Sequence, residues 1–382
     1  MRRTQTDVIL ADLERKMVFL VGPRQVGKTW LAQELRTRFR APVYLNYDYR
    51  PDRELLLREG WLADTDLLIF DEIHKMPDWQ QYLKGLYDTR PKGLRILVTG
   101  SARLDLLTHT GESLAGRVFR HRLLPFCPAE LRGTALDGAL ELLLARGGFP
   151  EPLLAESDSL AARWRDQYVD AMIRYDILDF QRIIDFKALQ LTLELLRARV
   201  GSPISFASIA RDIGASPTTV TRYVQLLEAL HLVFRVTPWS RNVARSLLKE
   251  PKIYFYDTGL VSAQGGARFE NLVAVSLLKQ AWGRTDYRGE ATHLHYLRDK
   301  DGREVDFALV RDGTLERLVE CKTTESHVDA NLLHFANRLG CPATQVVLHL
   351  RQPQQAGPVE IRRAQDWLGA LDWNPPSERS PG

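Results

Sequence analysis

The sequence is poor in cysteine, in long apolar stretches and in charge of one sign. Its three cysteines, Cys127, Cys321 and Cys341, are widely spaced in a chain of 382 residues. That spacing excludes a disulfide-stapled scaffold and a zinc knuckle, and it suits a reducing, cytoplasmic setting. No apolar run approaches the ~20 residues of a membrane span, so no membrane partner is expected. The basic N-terminus MRRTQTDVIL lacks the apolar stretch of a secretory signal. Lys and Arg number 52 against 48 Asp and Glu, a net charge of +4. This balance permits an anionic partner without demanding one, so nucleic-acid recognition would need a local basic patch. No internal repeat is visible. What remains is ordinary globular composition, 45% hydrophobic and 26% charged, and enough length for two or three domains.

The first third alternates short apolar runs with helical patterns. Runs at Lys16–Val21, Pro42–Tyr47, Asp66–Phe70, Arg95–Thr99 and Val118–Leu124 read as strands, with a helix over Lys28–Phe39. Strands alternating with helices predict an α/β fold with a parallel sheet covered on both faces. From Pro128 to Val200 the pattern is helical, broken at Gly147-Gly148 and Pro150. Strands return at His293–Arg298, Glu304–Val310, Leu315–Lys322 and Ala343–Leu350, with Asp301-Gly302 and Asp312-Gly313 as hairpin turns.

Residues 22–29 read Gly-Pro-Arg-Gln-Val-Gly-Lys-Thr, a full match to G-x-x-x-x-G-K-[ST] between a strand and a helix. Glycines let such a loop wrap a triphosphate while its N–H groups face the oxygens. Gly22, Pro23, Arg24, Gln25, Val26, Gly27, Lys28, Thr29 and Trp30 are therefore the candidate ATP contacts. Lys28 would reach the β- and γ-phosphates and Thr29 would ligate Mg²⁺. Leu67–Phe70 then delivers Asp71 and Glu72 to a strand end. Asp71 is expected to hold the metal and Glu72 to act as base toward the attacking water. After the fourth strand, Ser101 either contacts the γ-phosphate or caps a helix. Arg117, just before the fifth strand, either is an arginine finger reaching a neighbour's ATP or lies on the surface, with Arg120 and Arg122 equally near.

In order, Gly22–Thr29, Ile69–Glu72, Thr99–Ser101, Leu114–Arg117 and Gly147–Pro150 make the chain resemble prokaryotic AAA+ ATPases of the AAA_14 type. In those proteins a C-terminal domain of unknown function (DUF4143) follows the ATPase. The resemblance implies an AAA+ sheet, a helical lid and assembly into a homo-oligomer, a hexameric ring. It leaves the lid arginine open between Arg165 and Arg174.

Ser205–Gly214 and the Ser216-capped, Pro217-started helix after it read as a helix-turn-helix. Val220, Val224 and Leu227 form its buried stripe. That leaves Thr218, Thr219, Arg222 and Gln225 facing outward toward DNA, with Arg241 and Arg245 on a basic wing. Between Gly201 and Glu250 there are six Lys/Arg against three Asp/Glu. The competing reading is a winged helix used for packing or protein contacts.

Further on, Asp306 on one strand faces Glu320 and Lys322 on the next, which share a side of their strand. Glu270, near the start of a helix, would add a ligand. With Mg²⁺ or Mn²⁺ on Glu270, Asp306 and Glu320, and Lys322 steadying the transition state, this resembles the PD-(D/E)xK nucleases. A charged strand edge, or a nuclease-like fold without activity, is the alternative. The expected organisation is thus an ATPase core at 1–126, a helical lid at 127–200 and a winged helix at 201–262. A nuclease-like α/β domain at 263–370 and an unstructured tail at 371–382 complete it. The function expected is ATP hydrolysis coupled to binding, remodelling, translocation on or cleavage of DNA. The rival is an ATP-dependent switch whose later domains only bind partners.

Overall fold

The computed structural model describes residues 3–100, 114–173, 185–240, 250–263, 266–324 and 327–373. Ser101, Arg174, Arg241 and Arg245 lie outside the described residues. The chain divides into two units, one holding the described residues to Leu124 with Asp286–Arg288, the other Pro125–Thr285 and Gly289–Trp373. The expected boundary after 126 lies close to this division; those after 200 and 262 fall inside the second unit.

In the first unit the elements run α1 (Thr6–Leu13), β1 (Met17–Val21), α2 (Lys28–Arg36), β2 (Pro42–Asn46) and α3 (Arg50–Leu57). They continue with β3 (Leu67–Asp71), α4 (Trp79–Thr89), β4 (Arg95–Thr99) and β5 (Val118–Arg122). The five strands form a parallel sheet in the order β2-β3-β4-β1-β5. Every residue of β1 and β3 is buried, whereas the edge strands β2 and β5 are mostly half-buried. This explains why the central strands read as unbroken apolar runs: helices cover both of their faces. Phe19, Leu68, Phe70, Ile96 and Val98 pack with Trp79 and Leu83 of α4 in one core.

The second unit begins with helices α5 (Pro128–Leu131), α6 (Leu140–Arg146), α7 (Pro150–Leu153), α8 (Asp158–Ala171) and α9 (Phe186–Ala198). Two helices joined by a short turn follow, α10 (Phe206–Ile213) and α11 (Pro217–Ala229). Gly214 ends α10 at φ 70°, and the Ser216 hydroxyl accepts the Thr219 N–H at 3.0 Å, a cap worth ~1 kcal/mol. Next come β6 (Val233–Pro238), β7 (Lys252–Phe255), the long α12 (Ala267–Arg288), β8 (Thr292–Arg298), β9 (Glu304–Arg311) and β10 (Thr314–Thr324). The unit ends with α13 (Ala330–Leu339), β11 (Ala343–His349), β12 (Gln354–Ala356), β13 (Val359–Arg363) and α14 (Ala364–Gly369).

One eight-stranded mixed sheet in the order β12-β13-β11-β10-β9-β8-β6-β7 runs through this unit. The antiparallel β6–β7 pair therefore shares a sheet with the strands carrying Asp306 and Glu320, through Thr237 and Pro238 beside His295 and Tyr296. The β9–β10 turn has Asp312 and Gly313 both at positive φ, 49° and 78°, the geometry the Asp-Gly signal predicts. Among the described residues no helix is long and apolar enough to cross a membrane.

Candidate functional site

The loop between β1 and α2 is shaped by two glycines. Gly22 has φ +143°, and a Cβ there would sit 2.2 Å from the Leu123 carbonyl oxygen, so the loop enters flush against the residue following β5. Gly27 takes a left-handed conformation (φ 98°) as α2 begins. The buried guanidinium of Arg3 braces the loop from behind, donating to Val26 O at 2.5 Å and Leu124 O at 3.0 Å. Lys28 folds back into this cradle and donates to Gly22 O at 3.0 Å and Pro23 O at 2.5 Å. Burial outweighs the pull of Glu72 and Asp71 and lowers its pKa to about 8. An ammonium held by neutral carbonyls is one that a phosphate can draw off.

Asp71 ends β3 directly beside Thr99, its register partner on β4, and accepts the Thr99 hydroxyl at 2.6 Å. Its other oxygen accepts Tyr44 OH at 2.5 Å and Thr29 Oγ1 at 3.3 Å. Burial and the Asp71 carboxylate push the Tyr44 phenol far up, so it stays a donor. Thr29 and Asp71 thus face each other across a gap whose oxygens suit Mg²⁺, a hard cation held by hydroxyl, carboxylate and water. Sequence reasoning placed Thr29 and Asp71 here but missed Tyr44. The parallel register that brings β2 against β3 is invisible in a linear pattern.

Glu72, the next residue, leaves the strand in a left-handed conformation (φ 57°), rare for a non-glycine and characteristic of functional turns. Its carboxylate lies 3.3 Å from Lys75, which in turn pairs with Asp48 at 2.5 Å. Burial raises the Glu72 pKa, opposed by Lys75. Lys75 is a second residue the sequence did not reveal.

Arg117 lies elsewhere. Its carbonyl accepts the Met17 N–H at 3.0 Å, which puts it at the end of the sheet where β1 and β5 begin, opposite the P-loop. Its guanidinium holds both oxygens of Asp88, at 2.8 and 3.0 Å. Within one chain it does not face Lys28. Arg165 donates to Arg146 O at 3.0 Å.

In the second unit α11 buries Val220, Val224 and Leu227 and exposes Thr218, Arg222 and Gln225. Thr219 is half-buried and shares its hydroxyl with Ser216 at 2.8 Å, so it serves the cap.

Two of the expected carboxylates, Glu270 and Asp306, converge with Glu304 on a cation supplied by the chain, while Glu320 pairs with Lys322. Lys252, at the start of β7, is wholly buried, with Nζ 2.9 Å from Glu304, 3.2 Å from Asp306 and 3.3 Å from Glu270. Tyr254 donates to Glu270 at 2.6 Å. The second Asp306 oxygen accepts the Cys321 N–H at 3.0 Å. Glu320 accepts the Asp306 N–H at 3.2 Å and Lys322 at 2.8 Å, and Lys322 also pairs with Asp329 at 2.9 Å. Burial and the Asp306 charge raise the pKa of both Glu270 and Glu320. Among the described residues no group of three His, Cys, Asp or Glu side chains is arranged to hold a metal ion. Lys252, Glu304, Tyr254 and Asp329 were not found from the sequence.

Family models match three stretches of the chain. Residues 14–132 match an AAA domain (AAA_14), 137–271 a domain of unknown function (DUF8612) and 265–359 a domain of unknown function (DUF4143). An uncharacterized protein of Mycobacterium tuberculosis is 32% identical over 248 residues, covering 64% of this chain and 55% of that protein. The chain thus spans about half the length of that relative. An uncharacterized protein of Methanocaldococcus jannaschii is 24% identical over 343 residues, covering 79% of this chain and 75% of that one. Among solved structures, a Walker-type ATPase of Pyrococcus abyssi aligns with TM-score 0.45 and 16% identity, over 68% of this chain and 95% of that one. The P-loop, the parallel sheet and the matched family model agree: residues 14–132 are a P-loop AAA-type ATPase domain, in a chain that continues into a DUF4143 domain.

Proposed function

We propose that the chain hydrolyses ATP and couples that hydrolysis to work on DNA engaged by the helix-turn-helix. The observation that carries the ATPase half is the meeting of Lys28, Thr29 and Asp71 at one sheet end. Thr29 and Asp71 would hold Mg²⁺, which supplies charge neutralisation on the phosphates when bound. Lys28 exchanges the Gly22 and Pro23 carbonyls for phosphate oxygens. Glu72, once it parts from Lys75, accepts the proton of the attacking water. Arg117 acts on a neighbouring copy's nucleotide in a ring, because its own P-loop lies at the opposite end of the sheet. That role requires it to leave Asp88. Ser101 completes the set as a γ-phosphate contact.

The DNA half rests on α11, whose buried stripe leaves Thr218, Arg222 and Gln225 in solvent where a recognition helix presents side chains to a major groove. In the same reading Arg241 and Arg245, which lie outside the described residues, add contacts to DNA. Glu72→Gln should keep ATP affinity and lower turnover at least ~100-fold, as loss of a general base does. Arg222→Ala should weaken duplex binding and flatten its salt dependence by about one counterion. Parental turnover in Glu72→Gln would remove the base assignment. Failure of the parental chain to bind duplex even at low salt would leave the rival reading, an ATP-driven switch acting on protein partners.

A further inference from the structure

The resemblance to PD-(D/E)xK nucleases calls for a divalent cation among Glu270, Asp306 and Glu320. The residues present do not fit one. Asp306 spends one oxygen on Lys252 and the other on the Cys321 N–H. Glu320 is taken up by the Asp306 N–H and Lys322. Glu270 receives both Lys252 and Tyr254 on the same oxygen. A divalent ion would need oxygens at about 2.1–2.6 Å with lone pairs free to turn inward. Here Glu270 and Asp306 already hold the Lys252 ammonium, and Glu320 holds that of Lys322.

That ammonium has no way out. Lys252 is 0% exposed, and Tyr296 lies under its Nζ at 5.5 Å. Its backbone is fixed on both sides, pairing with Val236 in the wing and bridging to Pro203. Gly201 closes the far side: at φ +82° it packs so tightly on Glu270 that a Cβ would fall 2.5 Å from the carboxylate. The carboxylates and three separate elements, β7, α12 and β9, are therefore arranged about one lysine.

We propose that Lys252 is a built-in cation occupying the place of the nuclease metal. The DUF4143 part is then a nuclease-shaped module that does not cleave, and its acidic centre is a clamp joining the wing strand β7 to the sheet strand β9. The inference does not depend on whether the first unit works on DNA or on protein.

The test is Mn²⁺ binding to the full chain without nucleotide, followed by electron paramagnetic resonance of the free ion. The parental protein and Asp306→Asn should bind the same number of Mn²⁺ ions, any shared ion belonging to the P-loop end. Lys252→Met should bind one more, and Lys252→Met with Asp306→Asn should lose it again. Mn²⁺ should also raise the melting temperature of Lys252→Met more than that of the parental chain. A parental ion that disappears with Asp306→Asn overturns the proposal, as does a folded Lys252→Met that gains none. Should Lys252→Met not fold, comparison of the parental chain with Asp306→Asn and with Glu270→Gln decides: equal binding supports the proposal and an Asp306-dependent ion refutes it. Cleavage of linear, branched or single-stranded DNA by the parental chain with Mg²⁺ or Mn²⁺, lost in Asp306→Asn, would refute it as well.

Discussion

Lys28 and Lys252 are both buried, and both place their ammonium among three or fewer oxygen atoms, yet the two surroundings drive them in opposite directions. Lys28 faces two neutral backbone carbonyls, and burial wins: its pKa falls to about 8. Lys252 faces three carboxylates, which overwhelm the same burial penalty and hold it charged well above the ordinary lysine range. The first is poised for exchange and the second is locked. A buried lysine near acidic residues is therefore not one kind of object: the charge state of its nearest oxygens decides whether it is available to a ligand.

The widest separation between the two should appear in stability. Lys252→Met strands three partly buried carboxylates and should cost ~3–5 kcal/mol, the range for breaking one side of a buried ion pair. Lys28→Met should change stability by no more than ~1 kcal/mol, since it gives up only hydrogen bonds to carbonyls, yet abolish ATP binding. Denaturant unfolding of both variants with a nucleotide titration checks this, and equal destabilisation would erase the contrast.

The next effect is in pH. A lysine with a pKa lowered to about 8 in the free protein is progressively neutral above that pH, and phosphate binds its charged form. ATP affinity should therefore fall about tenfold per pH unit above 8. Proton uptake on binding should show in calorimetry across buffers of different ionisation enthalpy. Lys252 itself should contribute no such slope in this range, since its carboxylates keep it charged throughout.

The smallest effect concerns the carboxylate that Lys28 sits beside. Tyr44→Phe removes one donor from Asp71 while Thr99 and Thr29 remain. A single hydrogen bond to a charged group is worth ~1.5–3 kcal/mol in full, less where other donors share the load. Turnover at limiting Mg²⁺ should shift only several-fold, with little change at saturating Mg²⁺.

The difference in legibility between the two sites follows from chain distance. Lys28 and Thr29 are neighbours in a motif, and Asp71 ends an apolar run; the helix α11 likewise declares itself through Ser216, Pro217 and the Val220–Val224–Leu227 stripe. In each case the determinants lie within one element. Lys252 meets Glu270, Glu304 and Asp306 across 18 to 54 residues, from two strands and a helix. β7 carries only four residues, too few for a period to emerge, and β12 only three. Tyr44 could not be found for the same reason: its contact with Asp71 spans 27 residues. The sheet itself was readable because buried parallel strands need apolar side chains on both faces. What gathers on its ends was readable only where a motif had already named it.

The shared sheet of the second unit has a consequence for how this protein folds and how it can be divided. β6 follows α11 and lies beside β8 in parallel, a pairing between residues 58 positions apart with the whole of α12 between them. Such a contact must offset the entropy of closing a long loop, so the local α10–α11 pair should be structured before β6 joins β8. A fragment ending at residue 262 would retain the exposed face of α11 but leave one side of β6 without its neighbour and Lys252 without Glu270, Glu304 and Asp306. Its exposed edge would be free to pair with another copy, and self-association would be the expected failure of such a fragment.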